Sequence, residues 1–310
     1  MLSTCIILFL IHAVPKLPTS LILFIPFTVL PPYIFTFLCA QHKGHHITPT
    51  SHARRMRDYP YDQVNFTPGK ICKTCNLVKP ARSKHCSLCG TCIAMCDHHC
   101  PWINNCVGLG NYGHFLALLF TLSILELYGA SLAYQIMQPY LARPPNTPFF
   151  SRHYADILLY AIEKGGLSIS GVGLLCASTF PLPLVLFTYD IYLVWAGMTT
   201  NESQKWADWK DDVAYDVVFK AEREALRTHN RLRKYGQHET ANPALQAWDD
   251  EDGLRAAWPV KSDQVLVCTS DGEPPRGQEG LWTRVEDVRQ IDNIYDLGGW
   301  ENFVRLLKGS

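Results

Sequence analysis

A net charge is the first thing this sequence lacks. Its 28 Lys and Arg balance 28 Asp and Glu, so charge argues neither for nor against nucleic acid or an anionic surface as a partner. The makings of a disulfide scaffold are missing too. Twelve cysteines in 310 residues do not describe the short secreted chain in which cysteine spacing reads as a disulfide framework. Met1–Val14 is apolar without a basic n-region or a small-residue cleavage site, which disfavours a signal peptide. No repeat of solenoid length recurs. The terminus Leu307-Lys308-Gly309-Ser310 is no KDEL-type retention signal. Acids are scarce between Gln41 and Gly113, where Asp58, Asp62 and Asp97 face nine Lys and Arg.

What is present is a set of long apolar runs. Met1–Val14 is shorter than the roughly 20 residues a spanning helix needs and reads as a first span cut short at its N-terminus. Pro15-Lys16-Leu17-Pro18 makes a turn. Thr19–Cys39 is uncharged and reads as a second span; its prolines Pro26, Pro31 and Pro32 are tolerated in a membrane helix. His114–Met137 is the third span and Leu167–Trp195 the fourth, with a Pro-rich connector, Gln138–Gly166, between them. Asp190, near the far end of the fourth, is expected to snorkel or pair at the helix end. The basic excess of Gln41–Gly113 puts that loop in the cytosol, and four spans then put both termini there. The sequons Asn65-Phe66-Thr67 and Asn201-Glu202-Ser203 are expected to carry no glycan on that side.

The expected architecture is an α-helical polytopic membrane protein with about four transmembrane helices. A transmembrane hairpin (1–40) precedes a cytosolic zinc-binding domain (41–113), stapled by metal between spans two and three. Spans three and four (114–196) lead to a cytosolic tail (197–310). In the tail, Gln204–Gly236 reads as a helix with Trp206, Trp209, Val213, Val217 and Ala221 at near-helical spacing. Gln264–Cys268 reads as a strand.

Eight of the twelve cysteines lie between Cys72 and Cys106 with His85, His98 and His99. Cys72-x-x-Cys75 and Cys86-x-x-Cys89 are paired donors on tight turns, and Cys92, His99 and Cys106 follow. Zinc takes four N/S donors in a tetrahedron, and sites of three Cys and one His are structural. The donors suffice for two ions, and spacing alone does not say which donors share one. Eight ligands leave Cys96, His98 and Cys100, beside Asp97. An acid, an imidazole and a thiol within four residues fit a carboxylate–imidazole–thiolate nucleophile. They fit spare ligands or plain loop residues equally well.

The stretch resembles the cysteine-rich domain of the DHHC family of protein S-palmitoyltransferases. The pattern C-x2-C-x9-H-C-x2-C-x2-C-x4-D-H-H-C-x5-C, with Asp before the two histidines, runs unbroken from Cys72 to Cys106. Pro101–Gly108 with Asn111-Tyr112 extends the likeness. Thr199-Thr200-Asn201-Glu202 resembles the family's TTxE motif, and Asn293–Gly298 with Asn302 its C-terminal Asn/Tyr motif.

The resemblance implies one structural zinc on Cys72, Cys75, His85 and Cys92, and a second on Cys86, Cys89, His99 and Cys106. It implies Cys100 as acyl-accepting nucleophile, His98 as base and Asp97 as its orienting partner. The implied activity transfers palmitate from palmitoyl-CoA to cysteines of membrane-anchored proteins. A non-catalytic membrane-anchored zinc-finger scaffold is the alternative. Cys96 is not one of the family's ligands and is expected to be inert. Trp102, Phe115, Leu118 and Leu125 are expected to line the acyl chain, and Lys79, Arg82 and Lys84 are candidates for the CoA phosphates. The compact tail most resembles a fungal subgroup that palmitoylates SNARE-type single-span proteins. Residence in the endoplasmic reticulum, or the Golgi, with a cytosol-facing site follows from that likeness. The bilayer is an expected partner and nucleic acid is not.

Two features look like decoys. Gly108-Leu109-Gly110-Asn111-Tyr112-Gly113 matches G-x-G-x-x-G, but no strand precedes it and a span follows; its glycines are expected to let the loop enter the span. His42, His45, His46 and His52 read as a solvated or headgroup-contacting run.

Overall fold

A computed structural model describes residues 2–141, 148, 151–236 and 258–308. From the N-terminus the elements are α1 (Leu2–Ala13), α2 (Thr19–Ile22), α3 (Ile25–Gln41), β1 (His46–Ile47), α4 (Pro49–Arg55), β2 (Lys84–Cys86), β3 (Thr91–Ile93), β4 (His98–Cys100), β5 (Asn105–Val107) and α5 (Tyr112–Met137). Then come α6 (Arg152–Gly165), α7 (Leu167–Thr179), α8 (Pro181–Trp195), α9 (Thr200–Ala214), β6 (Val218–Glu222), α10 (Arg223–Gly236), β7 (Gln264–Cys268), β8 (Thr283–Arg284) and α11 (Gly299–Lys308). They form two compact units: Met1–Leu38 with His114–Tyr189, and Cys39–Gly113 with Asp190–Ser310.

The first unit is helical. Among the described residues, three stretches are long and apolar enough to cross a membrane: Thr19–Gln41, Tyr112–Tyr140 and Leu167–Trp195. Only 11% of the first and of the third is buried. So much bare apolar surface suits lipid and not water. At 12 residues, α1 is too short to be counted with them. It packs instead, through Phe9 and Ala13, into a core with Ile25, Leu132, Ala133, Ile136 and Ile169. Small residues let the helices close: a Cβ on Gly173 would meet the Ala133 methyl, and one on Gly129 would stand 3.2 Å from Cys176 Sγ. Where α2 gives way to α3, Tyr128 donates its hydroxyl to the Leu21 carbonyl at 2.7 Å, which gives a hydroxyl among apolar helices its acceptor. The connector after α5 contains α6, 14 residues of helix. Ser151 caps that helix from the Tyr154 N–H, and Lys16 Nζ donates to the Gly165 carbonyl at its end at 2.7 Å.

Among its described residues the second unit holds three small antiparallel sheets, ordered β1-β3-β2, β4-β5 and β7-β6-β8. The strand expected at Gln264–Cys268 is β7. The single helix expected over Gln204–Gly236 is not formed. Helix α9 stops at Ala214, Asp216 turns the chain at a positive φ of 58°, and β6 pairs with β7 in the register Phe219↔Val267. Val217, Val218 and Phe219 favour a pleated surface, and cross-strand pairing outweighs the continued helical spacing. Trp206, Trp209 and Val213 pack on Val218, Val285 and Ile291.

Candidate active site and metal centres

Two four-donor clusters stand out: Cys72, Cys75, His85 and Cys92, and Cys86, Cys89, His99 and Cys106, the donor atoms of each lying within 4.8 Å of one another. Their grouping follows from strand geometry. Successive side chains on a strand point to opposite faces, so on β2 His85 and Cys86 part company. His85 lies opposite Cys92 in the β2–β3 register, and His99 opposite Cys106 in β4–β5. Each cross-strand pair therefore supplies two donors to one cluster. The other two come from Cys-x-x-Cys turns of one design. Cys75 N–H points to Cys72 Sγ at 3.5 Å and Cys89 N–H to Cys86 Sγ at 3.4 Å. The residue after each turn, Asn76 (φ 54°) or Gly90 (φ 69°), takes the left-handed conformation.

The donors fit zinc. A tetrahedral ion at about 2.3 Å from sulfur and 2.0 Å from nitrogen requires donor–donor edges of about 3.5–3.8 Å. The edges at His99 Nδ1 are 3.6 Å to Cys86, 3.4 Å to Cys89 and 3.7 Å to Cys106. Those at His85 Nδ1 are 3.4 Å to Cys75 and 3.9 Å to Cys92.

The same alternation on β4 puts His98 and Cys100 on the face opposite His99. Asp97 Oδ2 bonds His98 Nδ1 at 2.6 Å, and His98 hydrogen-bonds Cys100. Burial opposes charge on both partners. On the imidazolium it is outweighed by the bonds to Asp97 and Cys100, which raise His98 to about 10. On the Cys100 thiol it is outweighed by His98 and by the backbone N–H groups of Ile103 and Trp102, which lower it. Both shifts run toward the charged forms, thiolate on Cys100 and imidazolium on His98. Cys96 takes no part in it; it packs with Ile93 and Cys106.

Thr199-Thr200-Asn201-Glu202 supports this pair from behind. Thr199 is the N-cap of α9 and forms a capping box with Glu202. The first N–H of the helix, on Thr200, donates to Asp97 Oδ1 at 2.6 Å. Glu202, 2% exposed, receives Arg82 in a two-pronged bond at 2.7 and 2.6 Å. The Arg82 guanidinium lies 4.9 Å from the Tyr59 ring and 4.6 Å from that of Tyr295. Arg82 is thereby corrected from a candidate CoA contact to a buried strut, because Glu202 and two rings enclose it.

Comparison with known proteins agrees with this geometry. Residues 65–207 match the family described as DHHC palmitoyltransferase. Palmitoyltransferase swf1 of Aspergillus fumigatus is 41% identical, over 95% of this chain and 80% of the relative. That of Emericella nidulans is 38% identical over 96% and 74%, and that of Saccharomyces cerevisiae 35% over 89% and 71%. The chain belongs to the DHHC palmitoyltransferase family. Its activity is protein S-palmitoyl transfer.

In this family member the C-terminal motif closes around the end of α8. Asn293 Nδ2 donates to the Ala196 carbonyl at 3.2 Å and Asn302 Nδ2 to that of Trp195 at 3.1 Å. Tyr295 donates its hydroxyl to the Pro60 carbonyl at 2.8 Å. Gly197, at a φ of 67°, lies so close to Asp296 that a Cβ would stand 2.6 Å from its Cα. Asn105, opposite Cys100 in the register, donates to the Cys39 and His42 carbonyls at 2.9 and 2.7 Å, ending α3.

Four residues were expected to line the acyl chain. Trp102 stands 91% exposed at the β4–β5 tip, whereas Phe115, Leu118 and Leu125 on α5 are buried. The glycines of the G-x-G-x-x-G match have structural reasons. A Cβ on Gly108 would meet the Ala94 carbonyl at 2.8 Å, and Gly110 has a φ of 90°. His45 is not solvated as expected: it is wholly buried, stacked on His42 at 5.2 Å. Asp190 neither snorkels nor pairs. It is fully buried, its carboxylate makes no hydrogen bond among the described residues, and its electrostatic neighbours are Asp97 and His98. Nothing in local sequence marks Asp190 as an electrostatic neighbour of Asp97 and His98, since over ninety residues of chain separate them.

Proposed function

We propose that the chain transfers palmitate from palmitoyl-CoA to cysteines of membrane-anchored proteins through an acyl-Cys100 intermediate. The observation that carries this reading is Cys100, a motif thiol outside both four-donor clusters and bonded to His98, which Asp97 orients. Cys100 thiolate attacks the thioester carbonyl; the new C–S bond forms, and CoA leaves with the proton held on His98. A substrate thiol then gives its proton to His98 and attacks the acyl-enzyme, and Cys100 departs as thiolate. Asp97 and the Thr200 N–H keep the imidazole in place throughout. Both zinc ions are structural, holding β2–β5 in register.

Phe115, Leu118, Leu125 and Trp102 are assigned to the acyl chain. The CoA head is assigned to a groove of about 410 Å³ lined by Lys70, Lys79, Lys84 and Lys205. That groove also includes Asn201, the neighbour of Thr200. The reading includes four spans with α1 as the first, a cytosolic cysteine-rich domain, residence in the endoplasmic reticulum and SNARE-type substrates. Asn201 is 5% exposed, in keeping with a sequon that receives no glycan.

The test is incubation of the purified protein with labelled palmitoyl-CoA. Wild type forms a hydroxylamine-labile adduct. Cys100→Ser forms none and keeps two zinc ions, whereas Cys75→Ala and His99→Ala lose metal and fold together. A zinc-loaded, folded wild type that forms no adduct would support a scaffold instead.

A further inference from the structure

Helix α11 has one face bound to the protein, one charged, and one bare. Asn302 and Leu306 form the bound face. Asn302 reaches the Trp195 carbonyl and, at 2.8 Å, Asp296 Oδ1; Leu306 lines the small cavity beside Arg82 and Tyr295. Glu301 and Arg305, bonded at 3.2 Å, form the charged face. Trp300, Phe303 and Leu307, spaced i, i+3 and i+7, form the third. The Trp300 and Phe303 rings stack at 6.2 Å, yet Trp300 is 69% and Leu307 62% exposed.

The ends of the helix say what covers this face. At its start, a Cβ on Gly299 would collide with the indole of Trp195, the residue that closes the apolar stretch Leu167–Trp195. At its other end, Leu307 Cδ2 lies 3.7 Å from where a Cβ on Gly113 would stand. Gly113 is the second residue of the apolar stretch Tyr112–Tyr140. The bare face is therefore pinned at both ends to the points where two membrane stretches meet polar chain. An aromatic residue with a polar N–H suits that depth.

We propose that α11 is an interfacial helix, with Trp300, Phe303 and Leu307 seated in the headgroup–acyl boundary of the bilayer. The inference rests on the chain being an integral membrane protein and not on the acyl-transfer mechanism. It makes the bilayer a structural partner of the C-terminal motif, whose Asn302 lies on the same helix.

Trp300→Phe keeps the apolar face, so the emission lost relative to wild type reports Trp300. The full-length protein would be placed in phosphatidylcholine nanodiscs with plain or brominated acyl chains. The expected difference emission is blue-shifted, loses most of its intensity to brominated lipid and resists aqueous acrylamide. Quenching by acrylamide with none by brominated lipid would overturn the proposal in favour of a solvated face. Resistance to both would overturn it in favour of a protein partner or a second copy of this chain.

Discussion

Replacing Thr200 by proline removes one atom from the site, the backbone hydrogen that Asp97 Oδ1 accepts at 2.6 Å. Elsewhere such a change breaks a helix; here the backbone accommodates it. Thr200 is the first residue of α9, where an N–H has no intrahelical partner and proline is favoured. The residue before a proline must be extended, and Thr199 already is, at φ −101° and ψ 165°. Thr200→Ala removes the hydroxyl and keeps the N–H, and so is the control. Hydrogen bonds to charged groups contribute about 1.5–3 kcal/mol. Asp97 is buried and the bond is short, so the upper part of that range applies. If Asp97 holds His98 for the chemical step, the loss corresponds to about 40- to 150-fold in rate. Single-turnover acylation with labelled palmitoyl-CoA measures it. Thr200→Pro is expected to slow by that factor with zinc content and unfolding temperature near wild type, and Thr200→Ala to stay within a few-fold. Wild-type acylation by a folded Thr200→Pro protein would show that the Thr200–Asp97 bond does not serve catalysis.

Two further outcomes follow from buried charge. Glu202→Gln leaves Arg82 facing an amide in a site where both side chains are buried; breaking such a pair costs about 3–5 kcal/mol. A clear drop in thermal unfolding temperature is expected, and an unchanged one would deny the strut its role. Asp62, whose Oδ1 accepts the N–H groups of Val64, Asn65 and Phe66, is raised from 3.8 to about 6. Burial drives the shift, against those N–H bonds. The folded state therefore holds a proton between those values that the unfolded state has lost, and stability falls as pH rises through the window. Asp62→Asn keeps the acceptor without the charge. Its stability relative to wild type should climb between about pH 4 and 6 and be flat on either side; a pH-independent difference would contradict the assignment.

The metal donor set and the Asp97–His98–His99–Cys100 run were legible in local sequence because Cys-x-x-Cys turns and the motif are short-range patterns. Their partition was not derivable from spacing. His98 and His99 are neighbours, yet serve a thiol and a metal cluster because a strand sends them to opposite faces and the β4–β5 register gives His99 its partner Cys106. The apolar stretches were legible for a similar reason, since length and absence of charge suffice. The tail was misread where helical spacing continued into a segment that pairs as a strand. There the deciding partner, β7, lies more than forty residues away.

By itself, then, the sequence determined a membrane chain with two sets of metal donors and a thiol in a recognised motif. These are properties of composition, spacing and hydropathy. The tertiary structure decided everything that needed a distant partner. It took Arg82 from a phosphate contact to Glu202 and put Thr200's N–H on Asp97. The physical reason is that a buried charge must find its compensation wherever the fold brings a donor or acceptor, and that place is not written in neighbouring residues.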